Sequence, residues 1–228
     1  MNALLNDLPG VNPAAHAHTG AWVAAVLRAR IADGQLLPGS KLSEHSLAAA
    51  LGVSRNTLRE AFTVLDRELI VTRIPNRGVF VASPGLAEVR EMYRVRRMIE
   101  PAAVLWGPAL DIDALQAVVA ESRSALARGS VAEMAGANQR FHEVLVQAAD
   151  SDGVADLMDR VLAQMRLVFH ALGTEPDFHS HYVELNASIV GLLASGRRME
   201  AAEALRGYLD RAEAELLDYL EPRAGSLP

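Results

Sequence analysis

The sequence predicts a mainly α-helical protein: an N-terminal winged helix-turn-helix followed by a C-terminal antiparallel all-α bundle. Three observations predict it. Half of the 228 residues are hydrophobic but only 5% are aromatic, and Ala, Leu and Val dominate, which suits helices better than a β-sandwich. Apolar residues recur at helical spacing along most of the chain, and β-rich runs are confined to one stretch around residues 69–83. The charge changes sign along the chain. Residues 1–82 hold 8 Lys/Arg and 6 Asp/Glu, a net +2, and residues 83–228 hold 14 Arg and 22 Asp/Glu, a net −8. The change falls at Ser83-Pro84-Gly85, a turn or linker that places the domain boundary there.

Composition also excludes. With no cysteine, there is no disulfide scaffold, thiolate metal site or cysteine nucleophile. No apolar run approaches the ~20 residues of a membrane span. Residues 1–18 lack the basic start and long apolar stretch of a secretory signal, so a cytoplasmic address is expected. The total of −6 weighs against a nucleic-acid partner until the charge is divided by position.

Residues 1–18 mix Asn, Pro, Gly, His and Ala without periodicity and read as a mobile arm, His16 and His18 included. The first helix starts after Thr19, a candidate N-cap, with Trp22, Val23, Val26, Leu27 and Ile31 at helical spacing and Gly34 as its stop. After a Pro38-Gly39 turn, Ser43 caps a short second helix that turns Leu47, Ala48 and Leu51 inward and ends at Gly52. Ser54 caps a third, running to about Glu68, with Leu58, Ala61, Phe62 and Leu65 on its apolar face. Two β-rich runs around Pro75-Asn76-Arg77-Gly78 then read as a hairpin. Three helices and a hairpin, with a Gly-containing bend between helices two and three, make a winged helix-turn-helix spanning 19–83.

The third helix opens Ser54-Arg55-Asn56-Thr57-Leu58-Arg59. Spacing of four puts Arg55 and Arg59 on one face. In this motif the start of that helix enters the major groove. There Arg can bind guanine O6 and N7, and Asn can pair with adenine. Ser54 and Thr57 suit phosphate contacts. At the wing tip, Arg77 and Gly78 bring a cation on a tight turn, suited to a flanking phosphate or the minor groove.

The stretch "LLPGSKLSEHSLAAALGVSRNTLREAFTVLDRELIVTRIPNRGVFVA" resembles the DNA-binding domain of GntR-type bacterial transcription regulators, without a gap from Trp22 to Ala82. The resemblance implies a homodimer on a palindromic operator, with Arg55 and Arg59 contacting DNA. Ser43 and His45 fall at the start of the second helix. His45 stands where the family usually has a DNA-contacting Arg, so a different operator preference is expected.

Six amphipathic segments follow, at about 86–106, 111–128, 130–149, 153–172, 177–195 and 198–220. The first carries Val89, Met92, Tyr93, Val95, Met98 and Ile99, with Pro101 as an expected kink. Asp111 or Asp113 introduces the second, Ser130 and Glu133 have capping-box spacing at the third, Gly173 ends the fourth, and Pro222 follows the sixth, leaving 222–228 as a tail. Short connections favour an antiparallel bundle over 84–221. It resembles the FCD effector domain in its shorter, VanR-like version of six helices. "YRVRRMIEPAAVLWG" carries Arg96 and Glu100 at the family's Arg and Glu positions, and "NQRFHEVLVQAADS" is similar to its third helix.

The FCD resemblance implies a divalent metal, Zn or Ni, held by an Asp and three His. Asn138, His142, Asn186 and Tyr208 stand at those four positions, so His142 is the only retained family ligand. Asn is uncharged and the Tyr phenol is protonated at neutral pH. A lost or strongly weakened metal site is therefore expected, and no cofactor is assigned. The same four residues with Arg96 form a polar set able to bind a small effector, a metabolite or carboxylate, or else a satisfied plug in a vestigial site. His170, His179 and His181 form no ligand constellation and read as exposed.

The function expected is a ligand-responsive transcriptional regulator binding operator DNA, with no membrane association. A dimeric DNA-binding scaffold without an effector is the rival. An enzyme in the bundle is the third class, but no Gly-rich phosphate loop, nucleophile motif or His-rich metal set supports it.

Overall fold

The computed structural model describes residues 19–172 and 176–224. The expected arm at 1–18, the Gly173 stop and residues 225–228 of the expected tail lie outside the described residues. The chain divides into two compact units, the first ending at Ser83 and the second starting at Pro84, with Arg166–Ala171 grouping with the first.

In the first unit, helix α1 (Gly20–Ala32) starts where the Thr19 hydroxyl accepts from Trp22 N. Helix α2 (Glu44–Leu51) is capped by Ser43 and closed by Gly52, whose φ of 65° is the left-handed conformation glycine tolerates. Helix α3 (Arg55–Arg67) is capped by Ser54 and packs on α1 and α2. Leu58, Ala61, Phe62 and Leu65 are all fully buried there, because positions 58, 61, 62 and 65 share one helical face.

The hairpin forms between β2 (Val71–Ile74) and β3 (Gly78–Val81), paired antiparallel from Val71 opposite Val81 to Ile74 opposite Gly78. Its turn places Pro75 before Asn76, which takes a φ of 60°, and Arg77 N closes it onto Ile74 O at 3.0 Å. A strand absent from the sequence reading, β1 (Lys41–Leu42), pairs with β3 on its other edge, so the sheet order is β1-β3-β2.

The second unit is all-helical among the described residues: α4 (Leu86–Trp106), α5 (Ile112–Ala127), α6 (Val131–Gln147), α7 (Asp152–Leu172), α8 (Pro176–Ala194) and α9 (Arg198–Ala224). Helix α4 packs against α9 and α6, α5 against α6 and α8, and α8 against α6 and α9. Val146 of α6 joins Met158 and Leu162 of α7, with Val95 and Ile99 of α4 against them.

Several expectations change here. The buried stripe of α4 is Val89, Met92, Tyr93, Arg96, Glu100, Pro101, Ala103 and Val104, which leaves Met98 80% exposed, off the stripe. Asp111, not Asp113, caps α5, accepting from Ala114 N at 2.9 Å. Ser130 makes no side-chain cap bond; its backbone N–H donates to Ala125 O at 3.0 Å, and the Glu133 carboxylate pairs with Arg128. Helix α9 runs through Pro222 to Ala224, two residues beyond the proline, where the last turn has few backbone bonds left to lose. Gly107 ends α4 at a close backbone approach. A Cβ there would stand 2.3 Å from the carbonyl oxygen of Ala103 and 2.5 Å from that of Ala148.

Candidate functional site

Two sites are built on these units. The first is the start of α3. Ser54 accepts from Thr57 N at 3.1 Å, and its hydroxyl lies 2.8 Å from that of Thr57. This cap fixes the first turn and leaves Arg55, Asn56 and Arg59 exposed. Each of these three side chains has a partner on the protein. Asn56 donates to Glu60 at 2.9 Å. Arg55 Nη2 donates to His45 Nδ1 at 3.2 Å. Arg59 meets Glu44 through Nε at 3.1 and 3.3 Å and through Nη2 at 3.1 Å.

Ser43, at the start of α2, is spent on the cap, accepting from Ser46 N at 3.3 Å. On the wing, the Arg77 guanidinium lies 5.8 Å from the Phe80 ring centroid, and the Lys41 ammonium lies 5.9 Å from it. Gly78 adopts a φ of 109°, which a side chain would strain. Arg73 of β2 reaches back to α3, donating to Thr63 Oγ1 at 2.6 Å and to the Arg59 carbonyl at 3.2 Å. Lys41, Glu44 and Arg73 were not singled out in the sequence. Their signal is position alone: Glu44 directly precedes His45, and Arg73 lies mid-strand beside the wing turn.

The second site lies inside the bundle, and the five residues expected there are joined into one hydrogen-bonded chain through Glu100. Arg96 Nε donates to Glu100 Oε1 at 2.6 Å, and His142 Nδ1 lies 2.8 Å from Glu100 Oε2. His142 Nε2 is 3.2 Å from the Tyr208 hydroxyl, which lies 2.9 Å from Asn138 Oδ1. Asn186 Nδ2 donates to the same Oδ1 at 2.8 Å. The Tyr208 hydroxyl has one proton for two acceptors, His142 Nε2 and Asn138 Oδ1. Spacing of four carries Arg96 and Glu100 on α4, and Asn138 and His142 on α6, to matching faces.

The electrostatics follow from burial. Burial alone pushes the Glu100 carboxyl up, but Arg96 and then His142 outweigh it and hold it at about 2. Burial opposes the Arg96 charge as well, yet Glu100 raises it above its ordinary value, and Tyr93 offers its ring face 4.9 Å from the guanidinium carbon. For His142, burial prevails over Glu100 and lowers the pKa, favouring neutral imidazole. Burial raises Tyr208, so its phenol is protonated. Two polar atoms of this site, Arg96 Nη2 and Asn186 Oδ1, are buried without a hydrogen-bond partner.

The donor set fits a divalent metal poorly. Both ring nitrogens of His142 are directed at protein partners, and Asn138 Oδ1 faces two hydrogen-bond donors. Among the described residues no group of three His, Asp or Glu side chains converges as a metal site. His179, expected at the surface, is instead 6% exposed, and burial followed by His181 lowers it to about 4. It belongs to the α8 stripe of Tyr182, Val183 and Asn186, at helical spacing from each.

Residues 19–81 match the bacterial regulatory proteins of the gntR family, and residues 91–211, more than half the chain, match the FCD domain. A solved structure from Rhodococcus sp. RHA1, described as a GntR transcriptional regulator, is 36% identical with a TM-score of 0.82, covering 87% of this chain and 97% of that one. The chain belongs to the GntR family. Its two matched domains are those of a transcriptional regulator, a helix-turn-helix DNA-binding domain and an FCD effector domain, and the relatives that carry them are regulators rather than enzymes.

Curated GntR relatives are matched over part of their length. The gluconate operon transcriptional repressor of Bacillus subtilis is 30% identical over 59% of this chain and 56% of its own. The repressor RspR of Escherichia coli K12 is 28% identical over 60% of this chain and 62% of its own. The regulator YdhC of Bacillus subtilis is likewise spanned over 62% of its length.

Proposed function

We propose that this GntR protein is a ligand-responsive regulator that binds a palindromic operator as a homodimer in the cytoplasm. Residues 19–83 read the DNA and residues 84–221 dimerise and sense. The observation that carries the DNA reading is the capped, exposed first turn of α3, which presents Arg55, Asn56 and Arg59 together beside the wing. Arg55 and Arg59 contact bases, Ser54 and Thr57 lie along the phosphate path, and Arg77 and Gly78 meet the flanking backbone. Fluorescence anisotropy with a duplex selected from a randomised pool tests it. Arg55→Ala and Arg59→Ala each weaken binding at least about tenfold; unchanged affinity in both overturns it.

The effector reading rests on Arg96 Nη2 and Asn186 Oδ1, a buried cationic donor and a buried acceptor. They suit a small carboxylate or other polar metabolite, with Asn138, His142 and Tyr208 completing the wall. Binding there shifts the population of half-site spacings, because each half-site must be met in register. The family-type Zn or Ni is not held firmly. A thermal-shift screen in the presence of chelator is expected to give a carboxylate that raises the Tm of the wild type and not of Arg96→Ala. The near-closed hydrogen-bond chain favours a second reading, a dimeric scaffold with a polar plug. A screen in which no ligand raises the Tm, with operator binding intact, selects it.

A further inference from the structure

The first turn of α2 addresses both reading arginines. Its residues Glu44 and His45 are adjacent, and Arg55 and Arg59 are one turn apart on α3. Glu44 takes Arg59 and His45 takes Arg55. The geometry points to Glu44 and His45 as positioning residues that set DNA specificity, and this rests on the DNA reading of α3 proposed above.

Stability does not account for the arrangement. The Arg59 and Glu44 side chains are 61% and 33% exposed, and such surface pairs contribute little to folding. Their effect is on what the guanidiniums do next. A free arginine at a helix start binds any phosphate. Arg59 paired with a carboxylate has much of its charge offset, which weakens its attraction to any anionic phosphate. Hydrogen bonding to the neutral O6 and N7 of guanine depends less on that net charge. The Glu44 carboxylate also repels the DNA backbone wherever the reading helix sits out of register. It therefore penalises non-operator DNA more than operator, and discrimination comes from the difference. His45 acts by direction rather than by charge. Its Nδ1 accepts from Arg55 and fixes the guanidinium plane that a bidentate contact requires.

Full-length wild type, Glu44→Gln, His45→Ala and His45→Asn are titrated onto the selected duplex and onto a scrambled duplex of equal composition, across a salt series. Glu44→Gln is expected to bind the scrambled duplex more tightly, with a steeper salt dependence, and to lose about tenfold in the ratio of the two affinities. His45→Ala is expected to weaken the selected duplex alone. His45→Asn, whose amide can place an acceptor near the position of Nδ1, recovers it. Circular dichroism is expected to keep the wild-type signature and Tm to stay close to it, because His45 is exposed and Glu44 is half-buried in a surface pair. If both Glu44→Gln and His45→Ala keep the wild-type ratio, the inference is overturned while the DNA reading stands. A wild type that does not distinguish the two duplexes overturns both.

Discussion

Glu100 is fully buried and accepts from Arg96 on one oxygen while facing His142 with the other. Removing its charge leaves a buried guanidinium uncompensated, which costs about 3–5 kcal/mol. Glu100→Gln is therefore expected to lower the urea midpoint sharply at neutral pH. The pH dependence has a definite sign. The folded pKa of about 2 lies below the ordinary carboxylate value of 4.5, so the stabilisation is complete above that value and is lost as pH falls towards 2. The gap between wild type and Glu100→Gln should close across that window; a constant gap would show that Glu100 is not held as described. The donor set is testable in the same way. The wild type is expected to carry well under one Zn or Ni per chain by elemental analysis. Asn138→Asp, Asn186→His and Tyr208→His add one carboxylate and two imidazoles to the imidazole of His142, and that variant should retain about one ion.

Among the elements, the bend between α2 and α3 sets where the start of α3, the proposed DNA-reading surface, stands against α2. Gly52 has open space around the position of a Cβ, so only its φ of 65° resists substitution. Gly52→Ala should cost about 1–2 kcal/mol and Gly52→Asn clearly less, read by thermal denaturation. Equal losses would mean that space, not backbone conformation, matters there. Most element boundaries were legible because each has a local chemical cause: Ser43 and Ser54 accept backbone N–H groups, Gly52 and Gly129 turn left-handed, and Pro75 with Asn76 makes the wing turn.

What was not legible depends on partners distant in the chain. Strand β1 is two residues long, too short for alternation to show, and exists because β3 has a free edge. The Ser130-Glu133 spacing is correct for a capping box, yet the Ser130 N–H goes to the Ala125 carbonyl and the Glu133 carboxylate pairs with Arg128, and spacing cannot register such competitors. In the bundle, the residue types at 96, 138, 142, 186 and 208 suggested a polar site. Glu100 as the link between Arg96 and His142 needed the packing of α4 on α6.

On the scale of the whole molecule, the net −6 says little about DNA, because the acidic residues concentrate beyond Ser83 while residues 1–82 carry a net +2. Binding to the selected duplex should still fall steeply with salt. Arg77→Ala should reduce the salt slope by about one and leave sequence preference unchanged. A change of preference at constant slope would place Arg77 on a base rather than a phosphate. Lys41 gives the same face a distinct chemistry, because it is the only lysine among the 228 residues. The other strongly basic side chains are guanidiniums, which neither mild alkali nor an acyl donor discharges. Side-chain acetylation of the folded chain can therefore reach one amine, the one poised over Phe80 at the wing. It removes a single cation from the DNA-facing unit and none from the bundle, and mass spectrometry should find that amine shielded when the selected duplex is bound.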